Sequence, residues 1–224
     1  MASQLPSVPH PAHYPTPVER SADQWVHIVG IAAAAVGGLI LLGLSLGLGA
    51  WTETLAIAAY ASCLVATFLC SALYNLSGPR LRPLFRRLDL AAIFLMIAGS
   101  YTPFTTQRLH GAWALYMTLA VWLTALGGAL GQIFLPGLGR KFWIGLYLAL
   151  GWLAIIAVKP LIAAVSAVSL TLLLIGGLVY STGVLVYIRR QLKYRHAVWH
   201  GFVLTAAATH YAAILTGVVL LPAG

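Results

Sequence analysis

Two histidines, His196 and His200, stand four residues apart at the opening of the last long apolar stretch of the chain. On a helix that spacing stacks both imidazoles on one face, one turn apart, from which they can share a metal ion. An ionisable pair inside hydrocarbon is costly to keep and therefore marks a site. Three further segments carry polar groups that could join it. Ser71 and Asn75 are also four apart, Asp89 opens another apolar run, and Glu19, Asp23 and His27 form a stripe with the same spacing. Imidazole and carboxylate are zinc ligands, and a carboxylate beside a metal-bound water can take its proton. A hydroxyl such as that of Ser71 can hold the water or a substrate. The same groups can equally form a hydrogen-bonded network without catalysis.

The elements that position these groups are apolar to an unusual degree. Hydrophobic residues make up 61% of the 224 residues, charged residues 8%, and mean hydropathy is +0.92. A water-soluble domain would have too little polar surface left to face solvent, so the expected fold is an all-α, multi-pass membrane protein. Seven runs are long enough to cross about 30 Å of hydrocarbon at about 1.5 Å per residue. They fall near 24–47, 52–75, 88–106, 112–134, 141–158, 160–188 and 196–221, within a domain expected over 19–224. The sixth run is long enough to suggest tilt or extension beyond the bilayer. Gly43 with Gly47, and Gly127 with Gly131, offer faces for close helix approach. Cys63 and Cys70 share one apolar run and read as small packing residues rather than a disulfide.

Residues 1–18 hold five of the eleven prolines and no charge, and are expected to form a disordered tail. His10 and His13 lie in it as a flexible His-x-x-His, read as carrying no site. Eleven of the thirteen basic residues fall in the tail and the even-numbered connections, leaving only Arg108 and Lys159 on the other side. The positive-inside rule then places the N-terminus in the cytoplasm and the C-terminus outside. The net charge of +9 is thus topological, and nucleic acid is not an expected partner. Helical spans point to a bacterial inner or plasma membrane. Glu53 reads as a solvated charge at a helix start, and His210, about 15 Å beyond His200, as an interior histidine outside the site.

With the polar groups of four segments gathered at one depth on the basic side, further stretches become informative. Ser71-Ala-Leu-Tyr-Asn75, Arg87-Leu-Asp89, Ile97-Ala-Gly-Ser-Tyr-Thr-Pro-Phe104 and Leu150-Gly-Trp152 come in that order. Gly176-Gly177 with Tyr180 and Gly183, then His196-x-x-Trp-His200 with His210, complete the series. Together they resemble the hemolysin III family, which belongs with the progestin and adipoQ receptors and is related to alkaline ceramidases. The resemblance covers roughly residues 19–218. It implies a seven-helix bundle and a zinc ion near the cytoplasmic face. The metal would be held by one residue of the second helix and two of the seventh, with an aspartate and a serine beside it. The matching positions are Asn75, His196, His200, Asp89 and Ser71. Asn75 departs from the family's histidine, and an amide oxygen is a poor zinc ligand beside imidazole. Two completions stay open: Asp89 entering the ligand set, or His27 reaching in from the first helix.

Three functions are compatible with this pattern. The favoured one is a non-catalytic membrane protein, hemolysin- or pore-like or ligand-sensing, because Asn75 replaces a metal-ligand histidine. The alternative is a zinc-dependent hydrolase of a membrane lipid amide or ester, with Asp89 and Ser71 as catalytic residues. A proton-coupled transporter comes third, since the polar groups do not line a path to the outer face. Membrane lipid is the expected partner, and a homo-oligomer is compatible with the sequence.

Overall fold

The structure is a computed structural model that describes residues 13–49, 51–189 and 191–220. Seven spans are long and apolar enough to cross a membrane, and no strand occurs among the described residues. The first four are single helices: α1 (Pro17–Gly47), α2 (Trp51–Leu76), α3 (Arg82–Gln107) and α4 (Gly111–Phe134). The fifth span, Arg140–Ala164, is assembled from α5 (Arg140–Gly151), a 3-10 turn at Leu153–Ala157 and α6 (Val158–Ala164). The sixth is α7 (Ala167–Ile188). The last is α8 (Arg195–Ile214), continued by a π-helical turn at Leu215–Val219.

Two expectations about the spans are corrected. The first helix begins at Pro17, inside the segment expected to be tail, because the Thr16 hydroxyl accepts the Glu19 amide and Pro17 suits the first helical position. Residues 1–12, including His10, lie outside the described residues. The boundary between the fifth and sixth spans falls at 165–166 rather than beside Pro160. Pro160 sits in the first turn of α6, where a missing amide costs nothing, and Ser166 caps α7 through the Ser169 amide. The sixth span is therefore an ordinary 22 residues.

The break in the fifth span frees backbone groups where water cannot reach them. Tyr101 of α3 repairs it. Its hydroxyl donates to the Gly151 carbonyl at 2.9 Å and accepts the Ala154 amide at 2.8 Å.

Successive spans pack side by side, α1 on α2, α2 on α3 and α3 on α4. Helix α8 lies against both α7 and α1, which closes the bundle. Close approach depends on particular glycines. At Gly30 of α1 a β-carbon would sit 2.7 Å from the Phe68 ring of α2. The two glycine pairs read as packing faces behave differently: Gly43, Gly47 and Gly127 meet nothing within 4 Å, and only Gly131 is tightly opposed, by Trp143. Both cysteines are free, and Cys63 packs against Gly99.

Candidate metal centre

Helices α1, α2 and α8 each bring two polar residues, four positions apart, to the same end of the bundle. The inner layer consists of His27, Ser71 and His200, and the outer layer of Asp23, Asn75 and His196. Four residues of helix separate the layers by about 6 Å. All but His196 are buried, and Asp23 is fully so.

The inner layer is defined by its hydrogen bonds. His27 Nδ1 lies 2.8 Å from the carbonyl of Asp23, and His200 Nδ1 lies 2.6 Å from Asp23 Oδ1. A carbonyl only accepts, and so does an ionised carboxylate, so both Nδ1 atoms carry the proton. Both Nε2 atoms are then lone-pair acceptors, and each faces Ser71 Oγ at 3.3 Å. One hydroxyl has one proton to give, and Ser71 also receives the Asn75 amide at 3.4 Å. One imidazole lone pair is left over.

Beside these groups is a cavity of about 40 Å³, lined by His27, Ser71, His200 and Asp89 with Thr67, Phe68 and other apolar neighbours. That volume suits an ion or one or two waters. Asp23, His27 and His200 offer ligand atoms all within 4.8 Å of one another, so this group could hold a metal ion. The donor set fits a divalent cation: two imidazole nitrogens converge on one hydroxyl, and Asp89 lines the same cavity. Bonds of about 2.0–2.1 Å to one tetrahedral zinc separate its ligand atoms by about 3.3 Å. Asp23 Oδ1 and His200 Nδ1, at 2.6 Å, are too close to be two such ligands and form a hydrogen bond instead. Asp23 thereby stands as the carboxylate that orients His200, an arrangement common behind metal-bound histidine.

The outer layer is covered by the two residues that precede the Thr16 cap. The Tyr14 hydroxyl donates to Asp23 Oδ2. His13 Nε2 donates to Asn75 Oδ1 at 3.0 Å, while the Asn75 amide donates to the Ser71 carbonyl at 2.9 Å. The His13 ring lies 4.7 Å from that of His196 and 5.3 Å from Tyr74. Burial holds His13 below its ordinary pKa, so it is a neutral ring at pH 7. Burial and the Asp23 carboxylate push the Tyr14 phenol up, which keeps it a donor.

The structure thus brings together Ser71, Asp89, His200 and, through Ser71, Asn75. His196 stands in the outer layer: its ring is 6.5 Å from that of His200, and its Nε2 receives the Arg195 guanidinium at 3.1 Å. Of the stripe on α1, Asp23 and His27 turn inward, whereas Glu19 remains in the first turn at the cap. His210 is remote from the site, with Nε2 3.4 Å from the Leu173 carbonyl. Sequence reasoning read His13 as carrying no site and passed over Tyr14. The available signal was Thr16-Pro17, a helix start that fixes the direction of the residues just before it.

The Haemolysin-III related family model matches residues 18–211, which span every helix that contributes to this site. This chain belongs to that family. It is 31% identical to the hemolysin-3 homolog of Bacillus subtilis over 91% of this chain and 96% of that protein. Similarity to hemolysin-3 of Bacillus cereus is 32%, over 88% of this chain and 90% of the relative. The human monocyte to macrophage differentiation factor is 31% identical over 89% of this chain and 84% of its own length, which supports the wider link to progestin and adipoQ receptors. Seven apolar spans and bacterial hemolysin III relatives make this member a multi-pass integral protein of the plasma membrane.

Proposed function

We propose that this haemolysin III-related protein holds one zinc ion between His27 Nε2, His200 Nε2 and Asp89. In this reading Asp23 orients His200, and the basic end of the bundle faces the cytoplasm. One observation carries the reading: the Nδ1 partners of both histidines leave two Nε2 lone pairs aimed at a single hydroxyl. A dication would satisfy both lone pairs and offset two neighbouring carboxylates, whose burial is otherwise costly. Asn75 is then no ligand; its amide braces Ser71 from the outer layer.

The role we favour is non-catalytic, with the ion tying α1, α3 and α8 together at a membrane-embedded site beside Ser71 of α2. That bundle would act on the lipid bilayer itself or sense a ligand there. A cavity of about 40 Å³ has room for an ion and a water. The hemolysin name of the Bacillus relatives is the ground for proposing membrane disruption as the readout.

A hydrolytic reading rests on a separate observation, that Asp89 and Ser71 line the same cavity as the two imidazoles. Bound zinc would lower the pKa of a water there to about 7. Asp89 would accept its proton, and Ser71 would orient the water or the substrate carbonyl.

The test is metal analysis of protein purified in detergent, without chelator or histidine tag, followed by two assays on the same preparation. About one zinc per chain with dye release from liposomes and no lipid turnover supports the favoured role. Zinc-dependent release of fatty acid would replace it with hydrolysis, and an absence of bound zinc would overturn the metal reading.

A further inference from the structure

We propose that Arg87 of α3, with Arg140 and Lys141 of α5, forms a clamp for the phosphate of an anionic phospholipid at the basic end of the bundle. None of the three belongs to the metal centre. The register of two helices brings the arginines together. Helices α3 and α5 both start at this end, and they meet where the ring centres of Phe94 and Tyr147 lie 4.4 Å apart. Tyr147 also donates to the Leu90 carbonyl of α3 at 2.7 Å, which fixes one helix against the other. Arg87 and Arg140 each stand seven residues before those rings. Seven residues are about two turns and about 10.5 Å of rise, so both arginines sit at one level, on the faces by which the helices meet.

These side chains are oriented without being neutralised. Arg87 donates from Nη1 to the Ile133 carbonyl in the last turn of α4, at 3.2 Å. The Arg140 guanidinium lies 5.9 Å from the centre of the Tyr187 ring of α7. Each contact steadies a planar fork and leaves further N–H groups to donate. Among the described residues none of the three cations forms an ion pair with a carboxylate. Asp23 and Asp89 stand at the metal centre, Glu19 lies in the first turn of α1, and Glu53 opens α2. The first turn of α5 has no acidic residue either, so the positive helix end adds to the charge of Arg140 and Lys141.

The surroundings favour a lipid over a free ion. Phe134, Leu135, Leu138 and Phe142 are all exposed along the connection from α4 to α5 that carries Arg140 and Lys141. In a membrane protein such side chains meet acyl chains, while cations at their border reach the headgroups. Paired arginine forks match the oxygens of a phosphate. A net negative headgroup is attracted further, whereas the ammonium of a zwitterionic one meets the clamp's own charge.

Native mass spectrometry of full-length, delipidated protein in detergent tests this, with dioleoyl phosphatidylglycerol and dioleoyl phosphatidylcholine as probes. All titrations follow EDTA treatment, so that bound zinc plays no part. The unaltered chain is expected to bind phosphatidylglycerol about tenfold more tightly. Arg87→Gln/Arg140→Gln should lose that tenfold and bring the two lipids level. Arg80→Gln/Lys193→Gln removes the same charge from other connections at this end and should keep the preference. Equal affinity for the two lipids in the unaltered chain overturns the clamp, and that comparison stands even where a variant fails to fold. The same loss in both double variants overturns it as well, by reducing the site to general surface charge. Displacement of the lipid by inorganic phosphate, beyond that by chloride of equal ionic strength, would assign the cations to the free ion and overturn the lipid.

Discussion

The two layers of the site are drawn from the same three helices with the same spacing, yet their chemistry differs. In the outer layer the carboxylate, amide and imidazole each meet partners from the chain itself: Tyr14, His13 and Arg195. In the inner layer two imidazoles compete for one hydroxyl beside a small cavity. On the zinc reading proposed above, the histidine pair four residues apart on α8 is divided between the two layers. What each ring faces decides its role. His200 faces across the bundle to α1 and α2, and His196 faces His13, Tyr14 and Arg195.

The largest effect should come from removing an inner imidazole. His200→Ala is expected to reduce zinc from about one per chain to background, measured by mass spectrometry. His210→Ala, on the same helix, should leave zinc intact and lower stability by about 2 kcal/mol or more, because its ring fills the space opened by Gly176. Equal zinc loss in both would erase the distinction between a convergent site and a merely buried histidine.

An outer residue that acts through an inner one should matter less. Asp23→Asn keeps the shape but loses the charge behind His200. Zinc affinity is expected to fall roughly 10- to 100-fold, by competition with a fluorescent chelator, with stoichiometry unchanged. Complete loss would make Asp23 a ligand and move the layer boundary.

Packing that brings α1 to α2 sets a smaller, structural contrast. Gly30→Leu would meet the Phe68 ring and is expected to cost about 1–3 kcal/mol of stability and to loosen zinc. Gly43→Leu, one face further along the same helix with open space around it, should change either quantity little. Thermal unfolding in detergent with and without zinc checks both.

Much of this was legible in the sequence for a physical reason. Hydrocarbon forces backbone groups to be satisfied within helices, so seven apolar runs translate directly into seven spans. Polar residues are expensive there, which made Glu19, Asp23, His27, Ser71, Asn75, Asp89, His196 and His200 conspicuous before any coordinates. The break at Gly151–Trp152 was not legible, because Tyr101, fifty residues away, repairs it. Nor was the split between His196 and His200. Helical spacing fixes which residues share a face, but the rotation of α8 against α1 and α7 decides which of them points inward. His13 was hidden by its proline-rich surroundings, which read as tail until Thr16 was seen to cap α1.

The most direct test compares zinc content in His27→Ala and His196→Ala, with each variant's folding checked by size exclusion. The account predicts that His27→Ala loses the metal while His196→Ala retains about one zinc per chain. Zinc retained in His27→Ala and lost in His196→Ala would contradict it, and would return the site to the second and last helices.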